Sequence, residues 1–299
     1  MAYSQRVYRR LPTEQPNPAS RDIDRRSAED IVRIINAEDA KVPAAVAAER
    51  RSLVKAVEAL AEALRSGHGA VFVGAGTSGR LGILEAAECP PTFGTTPRQV
   101  RAVMAGGRSS VFRAKEGAED DPVDGARQVA KTALPGDVVV GVAASGITPF
   151  VRGGLARARR MGCRTVLVTS NFRASVPEAD IVIAPQVGPE VLSGSTRLKS
   201  GTAAKLVLNT LTTAAMIRVG KAYRNWMVDL RPTSYKLRQR GIRITADLGQ
   251  VSPRRAEKLF DEAGGSVKAA VVMARLGLDA RSARRRLQAA GGWLRKALG

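Results

Sequence analysis

Cysteine and histidine are almost missing from this sequence: Cys89, Cys163 and His68 are the only ones in 299 residues. Two cysteines cannot build a disulfide framework or a cysteine zinc site, and a single histidine leaves a serine-histidine triad without a well-placed base. His68 stands in Ser66-Gly67-His68-Gly69, just before the first apolar run, at the end of a sheet away from any ligand crevice. Aromatic residues reach only 4%, too few to suggest stacking platforms for nucleic acid strands. Long apolar runs are missing too. The longest stretch without charge, Val138 to Val151, falls well short of the roughly 20 residues a membrane span needs. Met1 to Arg10 is polar and basic with no apolar segment behind it, so no secretory leader is expected and the cytoplasm is the default compartment.

Acidic charge is also scarce, with 27 acidic against 48 basic residues and a net charge of +21. The basic residues are mostly arginine and are spread along the chain, and the densest cluster, Arg281 to Arg286, falls in a predicted C-terminal helix. This is read as a solvated surface that can attract anionic metabolites, with neither nucleic acid nor membrane as partner.

What the chain does contain is a 44% hydrophobic content, enough for a large α/β domain with a smaller appendage. Prolines between Leu11 and Pro18 predict an extended arm. Ser27, with Asp30 three residues on, reads as a helix N-cap, and Val46, Leu53, Val57, Leu60 and Leu64 fall on one face of a helix ending at Ser66-Gly67. From Gly69 the period shortens. Ala70 to Val73, Val100 to Met104, Asp137 to Val142, Thr165 to Val168 and Ile181 to Ile183 read as buried strands, with crossover helices at Gly79 to Ala87, Gly125 to Ala133 and Pro149 to Arg160. The layout is α/β, a doubly wound parallel sheet. Lys199 to Gly220 predicts a long helix with apolar residues nearly all round, buried at a sheet face or a subunit contact, and the pattern beyond Pro253 predicts a small helical bundle. The expected division is 1–58 for an N-terminal arm and helices, 59–222 for the sheet domain, 223–250 for a connecting segment and 251–299 for the C-terminal helical bundle.

Two strand-to-helix loops point to an anion. Gly74-Ala75-Gly76-Thr77-Ser78-Gly79 has the glycine spacing of a dinucleotide site, but Thr77 and Ser78 add hydroxyls, and Ala105-Gly106-Gly107-Arg108 lacks the acid that would hold an adenosine ribose. A sugar phosphate therefore fits better than NAD. In Ala144-Ser145-Gly146-Ile147-Thr148-Pro149, Ser145, Thr148 and the amides between them are expected to face the same anion, since Pro149 suits a first helical turn. Candidate acid/base groups are Glu85 and Glu88, ahead of Pro90-Pro91 that should stop their helix, and Glu116 and Glu119, ahead of Asp120-Asp121.

These segments resemble the signature of the N-acetylmuramic acid 6-phosphate etherases. The likeness is carried by Gly74 to Gly82 followed by Glu88-Cys89-Pro90-Pro91-Thr92-Phe93, by Glu116 to Asp120 and by Ala144-Ser145-Gly146. It continues through Val187 to Val191, Gly194 to Lys199, Gly201-Thr202-Ala203, Lys205 to Asn209 and Met227-Val228-Asp229, and the arm joins it at Thr13-Glu14 and Asn17. The resemblance implies a sugar-isomerase (SIS) fold, no metal or redox cofactor, a homodimer, and cleavage of the D-lactyl ether of N-acetylmuramic acid 6-phosphate. Elimination and water addition would give N-acetylglucosamine 6-phosphate and D-lactate. It further implies that Glu88 donates a proton to the leaving ether oxygen, that Glu119 is the partner acid/base, and that Gly76, Thr77, Ser78, Ser145, Gly146, Thr148, Glu190, Arg197 and Lys199 contact substrate. The chain departs from the family pattern at Ile147, usually Arg, at Glu85, usually Asp, at Ala87, usually Ser, at Ala204, usually Gln, and at Arg224 with Trp226. Two rival readings are a non-catalytic sugar-phosphate-sensing SIS regulatory protein and a SIS aldose-ketose isomerase.

Overall fold

The computed structural model describes residues 9–172 and 175–299, so most of the Met1 to Arg10 stretch lies outside the described residues. The chain divides into two compact units, one of residues 1–86 and 100–212, the other of residues 87–99 and 213–299. In the first unit, helices α1 (Ala28–Asp39), α2 (Val42–Ala48) and α3 (Arg50–Arg65) precede the sheet. Strands β1 (Ala70–Gly74), β2 (Val100–Met104), β3 (Val138–Val142), β4 (Arg164–Val168) and β5 (Ile181–Ile183) then alternate with helices α4 (Gly76–Phe93), α5 (Pro122–Thr132) and α6 (Pro149–Arg160), and α7 (Lys199–Arg218) follows. The five strands are all parallel in the order β2-β1-β3-β4-β5.

Parallel strands need crossovers, and the crossovers cover both faces, which is why the strands read as continuous apolar runs rather than alternating ones. Val71, Val73, Val139 and Leu167 pack with Val129 of α5 and with Phe150, Val151 and Leu155 of α6 on one face. On the other, Gly82 of α4 comes so close to Phe72 that an added Cβ would lie 2.8 Å from the phenylalanine Cβ. Helix α3 packs over β3 and β5. His68 sits at the start of β1 with its ring against Gly136, at the N-terminal ends of the strands as expected.

Several local expectations are corrected. The arm is not simply extended: it makes short 3-10 turns at Pro12–Glu14, Pro18–Ser20 and Ile23–Arg25, each proline opening its turn where no backbone N–H is required. The single helix expected from Val46 to Leu64 is two, α2 and α3, divided at Glu49, whose ψ of 12° leaves the helical range. Pro90-Pro91 does not stop α4. The helix runs on to Phe93 and ends where Gly94 takes φ +62° and donates its N–H to the Pro90 carbonyl at 3.0 Å. Prolines in a last turn remove N–H bonds without breaking the chain's path, and left-handed glycine supplies the actual stop. Helix α7 buries Val207, Leu208 and Leu211 within the chain and leaves Thr202, Asn209, Thr210 and Thr213 exposed. The Ser27 cap is as expected, its Oγ accepting the Asp30 N–H at 3.2 Å.

The second unit is helical: α8 (Tyr235–Gly249), α9 (Pro253–Glu262), α10 (Val267–Leu276), α11 (Ala280–Ala289) and α12 (Leu294–Leu298). Its core joins Ile244, Phe260, Val271, Val272 and Leu294. Among the described residues no helix is long and apolar enough to cross a membrane.

Candidate active site

The register of β1 and β3 brings their C-terminal ends level, Gly74 opposite Val142, so the two loops singled out in the sequence leave the sheet side by side. Between them is a cleft of about 270 Å³ lined by Thr77, Ser78, Ser145 and Thr148, with Glu119 and Asp120 on the same wall. This is the crevice beyond the strand ends where open α/β sheets take ligands.

Each glycine of the first loop has a separate physical reason. Gly74 and Gly79 approach so closely that a Cβ on Gly74 would lie 2.6 Å from the Gly79 nitrogen, which packs α4 tightly onto the end of β1. Gly76 opens α4 at φ +53°. The first turn of α4 carries Thr77 and Ser78, so two hydroxyls and the unbonded N–H groups of a helix start converge on the cleft.

The second loop is pinned from behind. The Asn171 side-chain amide donates to the Ser145 carbonyl at 2.9 Å, and the Thr169 hydroxyl donates to the Ala144 carbonyl at 3.0 Å. The amides expected to face an anion are used inside the loop: Gly146 N–H donates to the Ala143 carbonyl at 2.9 Å and Ile147 N–H to Ser145 Oγ at 3.3 Å. A turn this tight closes on its own carbonyls. What remains for a ligand is the Ser145 proton, the Thr148 hydroxyl, which makes no capping bond, and the N-terminus of α6.

Glu119 is the titratable group with a distinctive state. It retains substantial exposure to solvent, yet crowding by the protein pushes its carboxyl up from the ordinary range, and the negative charges of Asp120 and Glu116 push it further. It lies in a 3-10 turn, Ala118–Asp120, opened by Gly117 at φ +72°. Glu88 lies on α4 beyond Ala86, in the second unit, with an exposed side chain.

Of three other expected contacts, two are engaged with other residues of the chain. Glu190 is fully buried and its carboxylate accepts the N–H groups of Lys199 and Ser200, both at 2.9 Å, so it caps α7. Lys199 is 1% exposed, with its Nζ 2.5 Å from Glu38 Oε2. Burial pushes the Glu38 carboxyl up, but hydrogen bonds from Lys199, Lys41 and Asn17 outweigh it and hold Glu38 at about 2. Arg197 is exposed and is not among the residues lining the cleft. Glu85 is buried as well, accepting from Lys205 Nζ at 2.5 Å and Thr212 Oγ1 at 2.8 Å, which ties α4 to α7. Among the described residues no three His, Cys, Asp or Glu side chains are grouped to hold a metal ion.

A relative from Salinibacter ruber named N-acetylmuramic acid 6-phosphate etherase is 50% identical over 291 residues, covering 96% of this chain and 94% of its own. A Symbiobacterium thermophilum protein of the same name is 51% identical over 88% of each chain. One from Mesorhizobium japonicum is 47% identical over 96% of this chain and 94% of its own. This chain belongs to the N-acetylmuramic acid 6-phosphate etherase family. The family model for the glucokinase regulatory protein N-terminal SIS domain matches residues 52–159, which takes in β1 to β3 and both cleft loops, and the doubly wound sheet is of that SIS type.

For an etherase of this family, the cleft includes residues that motif reading did not single out. Glu14 lines it together with Thr13, Gly194 and Thr196. The arm is held there by the Gly194 N–H to Thr13 carbonyl bond at 3.0 Å, by Asn17 donating to Glu38 and to the Pro189 carbonyl at 2.9 Å each, and by Ser20 donating to the Val191 carbonyl at 2.7 Å. The signal available was the Thr13-Glu14 and Asn17 match in the arm, which marked family membership without marking a wall of the site. Ile147, the departure from Arg, is buried on the cleft wall and contributes no charge there.

Proposed function

We propose that this protein cleaves the D-lactyl ether of N-acetylmuramic acid 6-phosphate by elimination and water addition, giving N-acetylglucosamine 6-phosphate and D-lactate. The observation that carries the reading is the 50% identity over 96% of the chain to a relative bearing that activity's name. The cleft supports it chemically. Ser78, Ser145 and Thr148, with the starts of α4 and α6, suit a phosphate monoester. Glu119 suits proton abstraction from carbon 2 of the open-chain sugar, since a carboxyl raised from its ordinary range is the stronger base. Loss of that proton, with a proton given to the ether oxygen, expels lactate from carbon 3. Water then adds its hydroxyl to carbon 3 of the unsaturated aldehyde and its proton to the acid that protonated the leaving oxygen, while Glu119 returns its own proton to carbon 2. Glu88 takes the role of proton donor to the leaving oxygen on its correspondence with the family's residue alone.

The α/β layer is the sugar-phosphate domain in this reading, the protein works in the cytoplasm, and it works as a homodimer. The non-catalytic sensor is not favoured, because the relatives that span nearly the whole chain are named as etherases. The test is D-lactate release from N-acetylmuramic acid 6-phosphate by purified protein. Lactate from the wild type that falls strongly in Glu119→Ala and Glu88→Ala is expected. Tight sugar-phosphate binding without any lactate would reject the enzyme in favour of the sensor.

A further inference from the structure

The cleft that suits the phosphate has no cation on its walls: its titratable residues are Glu14, Glu119 and Asp120. Yet the proposed substrate carries two separate anions, the phosphate on carbon 6 and the carboxylate of the lactyl group on carbon 3. A phosphate can be held by hydroxyls and helix N-termini. A second anion placed among three acids would be repelled by each of them.

An adjoining cleft of about 160 Å³ brings the cations that the first one lacks. It shares Ala75, Gly76 and Glu119 with the first and continues past Arg80, Ser110, Lys115 and Glu116, so two basic side chains stand there with two acidic ones, where the first cleft has acids alone. Arg80 donates to the carbonyls of Val111 at 2.8 Å and Ser110 at 2.9 Å, which fixes the turn carrying Ser110. Ser110 is 3% exposed and its Oγ has no hydrogen-bond partner, an uncommon condition for a buried hydroxyl. Gly106, at φ +77°, leaves room over that oxygen, where a Cβ would come within 2.2 Å. Lys115 is exposed on the wall of this cleft and makes no ion pair among the described residues.

We propose that this adjoining cleft is the subsite for the lactyl carboxylate, with Lys115 as its cation and the Ser110 hydroxyl as a donor. The inference rests on the etherase reading. Its geometric consequence is that the two anions occupy two chambers, and Glu119, which lines both, stands beside the carbon 3–oxygen bond that joins them.

The test compares the substrate with N-acetylglucosamine 6-phosphate, which has the phosphate but no lactyl group. KM and kcat for N-acetylmuramic acid 6-phosphate and the inhibition constant of N-acetylglucosamine 6-phosphate would be measured for wild type, Lys115→Met, Lys115→Arg and Ser110→Ala, with circular dichroism to verify folding. Lys115→Met is expected to raise KM about tenfold, the scale of one charge-assisted contact, while the inhibition constant stays within about twofold. Lys115→Arg should recover much of the loss, and Ser110→Ala should raise KM about threefold. Equal weakening of both ligands by Lys115→Met would make Lys115 a general anion attractor and overturn the subsite, as would no change in either. Wild-type protein that releases no lactate would instead overturn the etherase reading itself.

Discussion

Glu38 and Glu119 stand in the same α/β unit and are tuned in opposite directions. Glu38 is 3% exposed, the more thoroughly buried of the two, yet it is the one held ionised, because Lys199, Lys41 and Asn17 all donate to it. Glu119 keeps more exposure to solvent, yet its carboxyl is pushed up, first by the desolvation it does suffer and then by the charges of Asp120 and Glu116, with no donor among the described residues to offset them. Burial alone does not decide the charge of an acid; the donors and charges brought to it do. One arrangement makes a fixed structural anion and the other a group that can exchange a proton.

The largest effect that would sharpen this contrast is on rate. Glu119→Gln should lower kcat for lactate release by roughly 10²- to 10⁴-fold, the usual worth of a general base, with the unfolding midpoint hardly changed. A folded Glu119→Gln protein with near-normal turnover would break it. The next effect is on stability. Glu38→Gln leaves the buried Lys199 ammonium without its counter-charge and should cost roughly 3–5 kcal/mol in urea unfolding, and a Glu38→Gln/Lys199→Met double variant should regain a large part of it.

The two acids should also respond oppositely to pH. Glu38 in the folded protein lies at about 2, below its ordinary 4.5, so the stability it contributes is complete above about 4.5 and is lost as pH falls towards 2. Acid unfolding of the Glu38→Gln/Lys199→Met variant should be flatter across that window. Glu119 lies above its ordinary value, so ionising it disfavours the fold slightly, and the acid limb of kcat/KM should sit above 4.5. Glu116→Gln with Asp120→Asn removes the repelling charges and should move that limb to lower pH. The smallest expected effect is at Ile147. Ile147→Arg brings a cation to the cleft wall and should lower KM a few-fold at low ionic strength, an advantage that salt should erase.

The contrast between the two acids was invisible in the sequence, although much of the fold was not. Strand runs such as Val138 to Val142 and the loop hydroxyls Ser78, Ser145 and Thr148 were legible because local patterning encodes them, and those hydroxyls do line one cleft. Glu38 and Lys199 are 161 residues apart, and no periodicity links them. Lys199 and Glu190 are expected as substrate contacts by resemblance alone, and no local sign in the sequence shows that one also neutralises a buried acid and the other also caps α7. Likewise, nothing local in Pro12 to Glu14 says that the arm returns to the cleft, since the contact depends on Gly194 and Val191 far along the chain. Pro90-Pro91 misled for the converse reason: a strong local signal for stopping a helix falls in a last turn that tolerates it, and Gly94 supplies the stop.

The claim that Glu119 handles the carbon 2 proton of the sugar can be tested most directly by running the reaction in D₂O and examining the N-acetylglucosamine 6-phosphate by proton NMR. The account predicts one deuterium at carbon 2 in every product molecule, because a solvent-exposed carboxyl exchanges its proton before returning it. Product that retains the original hydrogen at carbon 2 would contradict it and point to direct displacement of lactate at carbon 3.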